Sequence, residues 1–288
     1  LITLLMLAVE RLFLRERTYE VQLASRSSQA LTIVLNKVRL PLFALAAILC
    51  TLMVVLPLGL LGSASAAPGV YTDAFTRAGD ALLRSLGYAV AGATLLTFVG
   101  FFAGYLVQRR ALAVWRGIDS LTVLLFALPS TVLGIGLVTL WNQPALGVVY
   151  GTPLIVLVGY LAQYTALTSR TTVSGLSQIP RSMEEAARIV GAGWFRRIGG
   201  IVAPLAGRAL GAAWLIGYLF CLRETGLTMM VYPPGGDTLP VRTFTLMANG
   251  APSLIAALCM LMVAATIVPL LVLGVLLEAG WRWHRARA

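Results

Sequence analysis

The chain has 288 residues, of which 59% are hydrophobic and only 11% are charged. Soluble domains carry about 25% charged residues, so this composition excludes an ordinary soluble domain. The net charge is +11, but most basic residues stand just outside apolar blocks, where they set the orientation of a membrane protein. We therefore predict no nucleic-acid site. The apolar blocks are continuous and about 20 residues long, which indicates helices rather than barrel strands. The expected fold is an all-α integral membrane protein.

The first residues have the character of the end of an earlier membrane span. The apolar run 1–9 has neither the charged start nor the cleavage site of a signal peptide. A polar, arginine-rich stretch follows it and ends at Arg39. We expect residues 1–39 to be the end of a preceding span plus a cytoplasmic linker. Residues 40–277 are then a six-span domain, and residues 278–288 a cytoplasmic tail.

Six apolar blocks predict six transmembrane helices. A mildly amphipathic stretch between the first two blocks, Tyr71–Leu83, is predicted to lie along the membrane surface. The predicted spans are Leu40–Gly62, Ser85–Val107, Ile118–Trp141, Pro153–Ser169, Ala209–Tyr232 and Ala251–Leu277.

The distribution of basic residues predicts the orientation. With six spans, the linker, the loop 108–117, the polar segment Arg170–Arg208 and the tail all lie on one side, and together they hold 18 of the 22 basic residues. The positive-inside rule makes that side cytoplasmic. The long polar segment, between the fourth and fifth spans, therefore faces the cytoplasm.

Residues 182–191 of this segment have the pattern of a short helix with both ends marked. Ser182 is a suitable N-cap, and Glu185 stands three residues later, at the spacing of a capping box. Gly191 suits a left-handed C-terminal stop. A second helix is predicted over Trp194–Val202.

This segment resembles the cytoplasmic "EAA" loop of type I ABC importer permeases, whose pattern is E-A-A, three residues, G, nine residues, I, one residue, L-P. The matching residues, at the family's spacing, are Glu185, Ala186, Ala187, Gly191, Ile201 and Pro204. The chain departs from the pattern at Ala203, where leucine is usual. The loop also lies between spans four and five of six, as in the family.

The resemblance implies that the short helix is a coupling helix, which binds in a cleft on an ATP-hydrolysing subunit. Glu185 would contact that subunit, and the small residues would permit a close fit. An alternative is that Glu185 only caps its own helix and Gly191 only ends it; both roles are compatible. The residues expected at the ATPase contact are Ser182, Glu184, Glu185, Ala186, Ala187 and Gly191.

The chain is predicted to have no ATP site and to be no enzyme. A P-loop needs a lysine followed by Ser or Thr after a glycine-rich turn, and the only lysine is Lys37, which is followed by valine. ATP and Mg²⁺ would bind to the partner, and no cofactor or metal is expected on this chain. The resemblance implies an ATP-binding cassette ATPase dimer, an external substrate-binding protein and a second six-span half, fused or separate. It also implies a bacterial cytoplasmic (inner) membrane.

Within this family the chain is most similar to ferric-iron-type permeases. Their single chains often contain two fused halves. Residues 1–39, read as the end of a preceding span and a linker, therefore fit the start of a second, C-terminal half. The segment Glu224–Phe244 looks like their outer loop. Ferric iron is therefore the expected substrate. Permeases for phosphonate, thiamine, sulfate, molybdate or polyamines share much of the framework and stay as alternatives.

Two features inside the predicted spans suggest a translocation path. Arg223 and Glu224 lie in the fifth span, where a charge that faces lipid is costly; either they line the path or they form a structural ion pair. Pro129 breaks the third span beside Ser130 and Thr131, which either line the path or permit close helix packing. A gradient-driven secondary transporter, the rival interpretation, would need charges deep in several spans, and only the fifth span has such a pair.

Overall fold

The computed structural model describes residues 38–110, 113–143 and 146–285, with side chains as far as residue 272. Residues 1–37, with the predicted end of a preceding span and most of the linker, lie outside the described residues, as does the tail from residue 286. The helices are α1 (Arg39–Ala64), α2 (Val70–Arg109), α3 (Trp115–Ala127), α4 (Ser130–Trp141), α5 (Pro153–Ser177), α6 (Arg181–Ile189), α7 (Trp194–Leu205), α8 (Gly207–Arg223), α9 (Gly226–Val231), α10 (Leu239–Leu246) and α11 (Pro252–Arg285).

The described residues form an all-helical membrane architecture. By length and apolarity, α1, α2 and the Pro252–Val272 part of α11 can each cross a bilayer. The pairs α3–α4 and α7–α8 pass the same test together, but they are bent by 110° and 76°. The described residues therefore hold three candidate spans, or five if each bent pair is counted as one span. The predicted six spans therefore remain a prediction. Helix α11 also continues to Arg285, through most of what was expected to be a separate tail.

The predicted surface helix before the second span is wrong, because α2 is one continuous helix of 40 residues. At about 1.5 Å per residue it is about 60 Å long, twice the thickness of the hydrocarbon core. No proline interrupts it. The apolar face of its first turns is buried by protein rather than by the membrane surface, since Ala74 and Ala78 pack against Leu239, Leu254 and neighbouring side chains of α10 and α11.

Small residues bring α2, α5 and α8 together at the centre of the molecule. A Cβ at Gly104 would lie 2.8 Å from the Ser169 carbonyl oxygen, and a Cβ at Gly100 would overlap the Thr168 side chain. Such close backbone approach is typical of membrane helix packing. The polar side chains of α5 at this contact, including Thr168 and Thr172, are fully buried, which makes α5 less apolar than a lipid-facing helix.

The third predicted span is two helices, since α3 ends at Ala127 and α4 begins at Ser130. Pro129 has no N–H to continue the helix and forces an extended conformation on Leu128. The buried amide of Gln163 on α5 donates from Nε2 to the carbonyl oxygens of Phe126 and Leu128, at 3.4 and 3.2 Å. Backbone groups that the break frees are thus satisfied by protein, as membrane depth requires.

The fifth predicted span is also interrupted. Helix α8 ends at Arg223, Glu224 has an extended backbone, and the short helix α9 follows. Arg223 and Glu224 therefore lie at a helix end and not within a continuous span.

Candidate functional site

Helix α6 begins two residues earlier than the capping-box pattern predicts. Pro180 is its N-cap residue, and no side chain caps the N-terminus. Ser182 is therefore the second helical residue and does not cap, so the capping box is wrong. Proline fixes φ at a value that suits entry into the helix, and the helix starts directly after it.

The C-terminal stop at Gly191 is confirmed. Its φ is +81°, in the left-handed region that glycine adopts without a steric penalty. The N–H of Gly191 donates to the Arg188 carbonyl and the N–H of Ala192 to the Ala187 carbonyl, each at 3.0 Å. This pair of bonds is the Schellman motif, which turns the chain sharply from α6 into α7.

One face of α6 points away from the membrane helices. Ser182, Glu185, Ala186 and Ile189 are all exposed, and their spacing of three, four and seven residues places them on one side of a helix. Ile189 has 86% of its surface exposed, and Val190 and Phe195 beside it have 83% each. We call this surface, formed by Ser182, Glu185, Ala186, Ile189, Val190 and Phe195, the outer face of α6.

Glu184 points the opposite way, toward the C-terminal end of α2. Its Oε1 accepts a hydrogen bond from the Tyr105 hydroxyl at 2.5 Å, and its Oε2 lies 3.3 Å from Arg109 Nε. Ala187, three residues on, is partly covered. The expected contact residues thus divide between two faces. The long-range partners of Glu184 have no local signal in the sequence.

An apolar cluster lies beneath α6 and α7. Phe101 and Tyr105 of α2, Leu176 of α5 and Ile198 and Val202 of α7 are buried together there. Trp194 stacks on Phe102 with ring centroids 6.1 Å apart. Helices α6 and α7 are therefore packed on the end of α2 as well as joined through the chain to α8.

The two helix breaks meet inside the bundle. A Cβ on Gly226, at the start of α9, would lie 2.5 Å from Ser130 Oγ at the start of α4 and 3.5 Å from a methyl group of Thr131. Glu224 is 8% exposed; it accepts hydrogen bonds from the Tyr164 hydroxyl and, at 2.8 Å, from the Leu227 N–H. Ser130, Thr131 and Glu224 are therefore neighbours.

Arg223 is separated from this group. It is exposed, and its guanidinium lies 5.6 Å from the centre of the Phe220 ring. Sequence reasoning missed Tyr164 and Gln163, although two polar residues side by side in the fourth apolar block were a usable signal.

The segment Glu224–Phe244, which resembles a ferric-type outer loop, is joined to α2 by hydrogen bonds. Asp237 accepts hydrogen bonds from Arg242 and, at 3.0 Å, from Arg84. The Leu239 N–H donates to Ser85 Oγ at 2.6 Å. The hydrogen bond from Arg242 holds the pKa of Asp237 below its ordinary value, against the opposing effect of burial.

Comparison with known proteins identifies the family of this chain. Residues 97–287 match the family described as binding-protein-dependent transport system inner membrane component. The chain is 30% identical over 189 residues to a Salmonella typhimurium protein named as a 2-aminoethylphosphonate transport system permease, PhnV, with 66% of this chain and 71% of the relative covered.

Other relatives carry different names. The ferric transport system permease protein FbpB of Actinobacillus pleuropneumoniae is 26% identical, with 54% of this chain and 22% of that protein covered. The spermidine/putrescine transport system permease protein PotC of Haemophilus influenzae is 24% identical, with 65% of this chain and 72% of that protein covered.

Among solved structures, the inward-facing MetNI methionine ABC transporter matches with a TM-score of 0.51 and 18% identity, covering 72% of this chain and 96% of that chain. This likeness shows the fold. The relatives are ABC permease subunits rather than enzymes. By the family match over two thirds of its length, the chain belongs to the binding-protein-dependent transport system inner membrane components, the permeases of ABC transporters.

Proposed function

We propose that this chain is the permease of an ATP-driven importer, in which the outer face of α6 binds a separate ATPase dimer. The observation that carries the proposal is the outer face itself. It combines Glu185 and Ala186 of the E-A-A pattern with large apolar side chains that are more than four-fifths exposed, on the side that the basic residues mark as cytoplasmic. Apolar side chains clustered in water mark a binding surface.

The bilayer topology in this proposal has six spans. They are α1, α2, the pair α3–α4, α5, α8 and α11. Helix α5 is counted because its 25 residues suffice to cross the hydrocarbon core, and because its polar side chains are buried against neighbouring helices. The connector α7 then lies at the cytoplasmic side, at 76° to α8.

The translocation path in this proposal runs beside the meeting point of the two helix breaks. Irregular backbone at membrane depth is tolerated where it is buried in protein or lines a cavity. Ser130, Thr131 and Glu224 supply polar groups there. Arg223, which points elsewhere, is less suited to this role.

For the substrate, ferric iron delivered by an external binding protein is the proposal that follows from the outer-loop likeness. A specific observation favours a second candidate, 2-aminoethylphosphonate. The match to this chain extends over 71% of the length of PhnV, but over only 22% of the length of FbpB. A second six-span half, fused or separate, completes the path in either case.

Uptake into vesicles tests the function and the substrate together. The permease, a second half and the ATPase are reconstituted with ATP inside the vesicles, and binding proteins loaded with ferric iron, 2-aminoethylphosphonate or putrescine are supplied outside. We expect ATP-dependent uptake with the iron-loaded protein. Uptake with only the phosphonate protein would overturn the iron assignment and keep the permease assignment. Gradient-driven uptake without ATPase would overturn both.

A further inference from the structure

Glu184 sits at a buried junction of three helices. It belongs to α6, and its carboxylate contacts Tyr105 and Arg109 of α2 and lies 3.8 Å from Arg197 Nε of α7. The side chains are little exposed, at 9% for Arg109, 15% for Glu184 and 16% for Arg197. We call Tyr105, Arg109, Glu184 and Arg197 the Glu184 cluster.

The charges of this cluster depend on the single carboxylate. Two guanidinium groups share it, and Nε and Nη2 of Arg109 and Nε of Arg197 are buried with no hydrogen-bond partner. Glu184 is the carboxylate that faces both guanidinium groups, and Arg197 also donates from Nη1 to the Ala192 carbonyl at 3.4 Å. Removal of one partner from a buried ion pair leaves an uncompensated charge; here it would leave two like charges facing each other.

Other contacts bring the same elements together without an ion pair. Arg181 at the start of α6 donates from Nη2 to the Gln108 carbonyl at 3.0 Å, and Trp194 at the start of α7 packs against Phe102 and Tyr105. These contacts each join two helices. The Glu184 carboxylate contacts all three.

The covalent route from α6 to the membrane is indirect. It passes through the left-handed turn at Gly191, the π-helical turn Ile198–Val202 within α7, and the 76° bend before α8. By contrast, the Glu184 cluster links α6 directly to α2, which packs along α5 and α8.

We propose that Glu184 is a positioning residue that makes α6, the start of α7 and the cytoplasmic end of α2 move as one body. Movement of the ATPase would then reach α2 through Glu184 in addition to reaching α8 through the chain. This inference rests on the proposed function, and it separates the two adjacent glutamates: Glu185 binds the ATPase, and Glu184 transmits its movement.

The test compares Glu184→Gln with Glu185→Gln in the assembled transporter in vesicles. The glutamine at 184 keeps an acceptor for Tyr105 and removes the charge. We expect normal subunit association and basal ATP hydrolysis, with solute transported per ATP lowered roughly tenfold, within the range of coupling between distant sites. Glu185→Gln should instead weaken subunit association. Unchanged transport per ATP in Glu184→Gln would overturn the inference.

A distance measurement makes the test independent of the ATPase. Spin labels at Val107 and Val190 should give a narrow distance distribution in the unaltered permease and a broad one in Glu184→Gln. The double variant Arg109→Glu with Glu184→Arg keeps the same set of charges and should narrow the distribution again and restore coupling. A distribution in Glu184→Gln as narrow as in the parent would overturn the inference even if the permease function stands. Failure of the parent to bind any ATPase would instead overturn the proposed function.

Discussion

Gly191 and Gly193 stand two residues apart between α6 and α7 but have different backbones. Gly191 has a φ of +81°, whereas Gly193 has a φ of −63° with an extended ψ, which any residue can adopt. A Cβ at either position would meet no atom within 4 Å. Substitutions at these two positions therefore separate the effect of backbone strain from the effect of a larger side chain.

We predict that Gly191→Val loses coupling while Gly193→Val keeps it. A β-branched residue in the left-handed region costs about 1–3 kcal/mol, which should reorient α6 without preventing insertion. Expression should be normal in both variants, and ATPase association should weaken only in Gly191→Val, as measured by co-purification. Gly191→Asn should be intermediate, since asparagine tolerates this region. Equal losses in the two valine variants would show that the turn is not the cause.

Asp237 contacts Arg84 in the first half of α2. Its folded-state pKa is lowered from the ordinary 3.8, first by the hydrogen bond from Arg242. A group with a lowered pKa stabilises the fold above its unfolded pKa and loses that contribution as the pH falls through the folded value.

We predict that a spin label at the exposed Pro234 stays immobile at neutral pH and becomes mobile only at a pH below the ordinary aspartate value of 3.8, because the pKa of Asp237 is lowered. Asp237→Asn should make the label mobile at neutral pH. A label equally immobile in both chains at every pH would contradict the role of this contact.

At the scale of elements, packing of α2 on α5 is the contact most sensitive to a single methyl group. Gly100 faces Thr168 with no room for a Cβ, whereas Gly87 on the same helix has no atom within 4 Å of that position. We predict that Gly100→Ala destabilises the permease by about 1–3 kcal/mol, as overpacked cores do. Gly87→Ala should be neutral or stabilise by up to about 1 kcal/mol. Thermal unfolding in detergent measures both, and equal midpoints would contradict the packing.

The elements also show what the sequence could predict. The C-terminal stop of α6 at Gly191 and the break at Pro129 follow from one residue and its neighbours, so they were predictable. The N-terminus of α6 was misplaced, because Ser182 and Pro180 both favour a helix start and proline prevailed. The partners of Glu184 and Glu224 could not be predicted, since Tyr105 and Tyr164 approach them only through the packing of α2 and α5.

In the whole molecule, transport coupled to an ATPase requires α6 and the outer loop to lie on opposite sides of the membrane. In a chain with its native cysteines replaced, single cysteines at Ala111 and Gly193 should react with an impermeant reagent only from the cytoplasm. Cysteines at the exposed positions Ala66 and Pro234 should react only from outside. The basis is that a six-span topology would place 18 of the 22 basic residues on one side. Labelling of position 193 from outside would contradict the whole arrangement.

The proposed function requires the outer face of α6 to couple ATP hydrolysis to transport. Glu185 is exposed and caps nothing, so Glu185→Ala should change stability by no more than about 0.5 kcal/mol. The direct measurement is ATP hydrolysis by the reconstituted transporter with and without the loaded binding protein that supports uptake. We predict stimulation by that protein for the parent and none for Glu185→Ala, at equal amounts of inserted permease. Full stimulation of Glu185→Ala would contradict the claim.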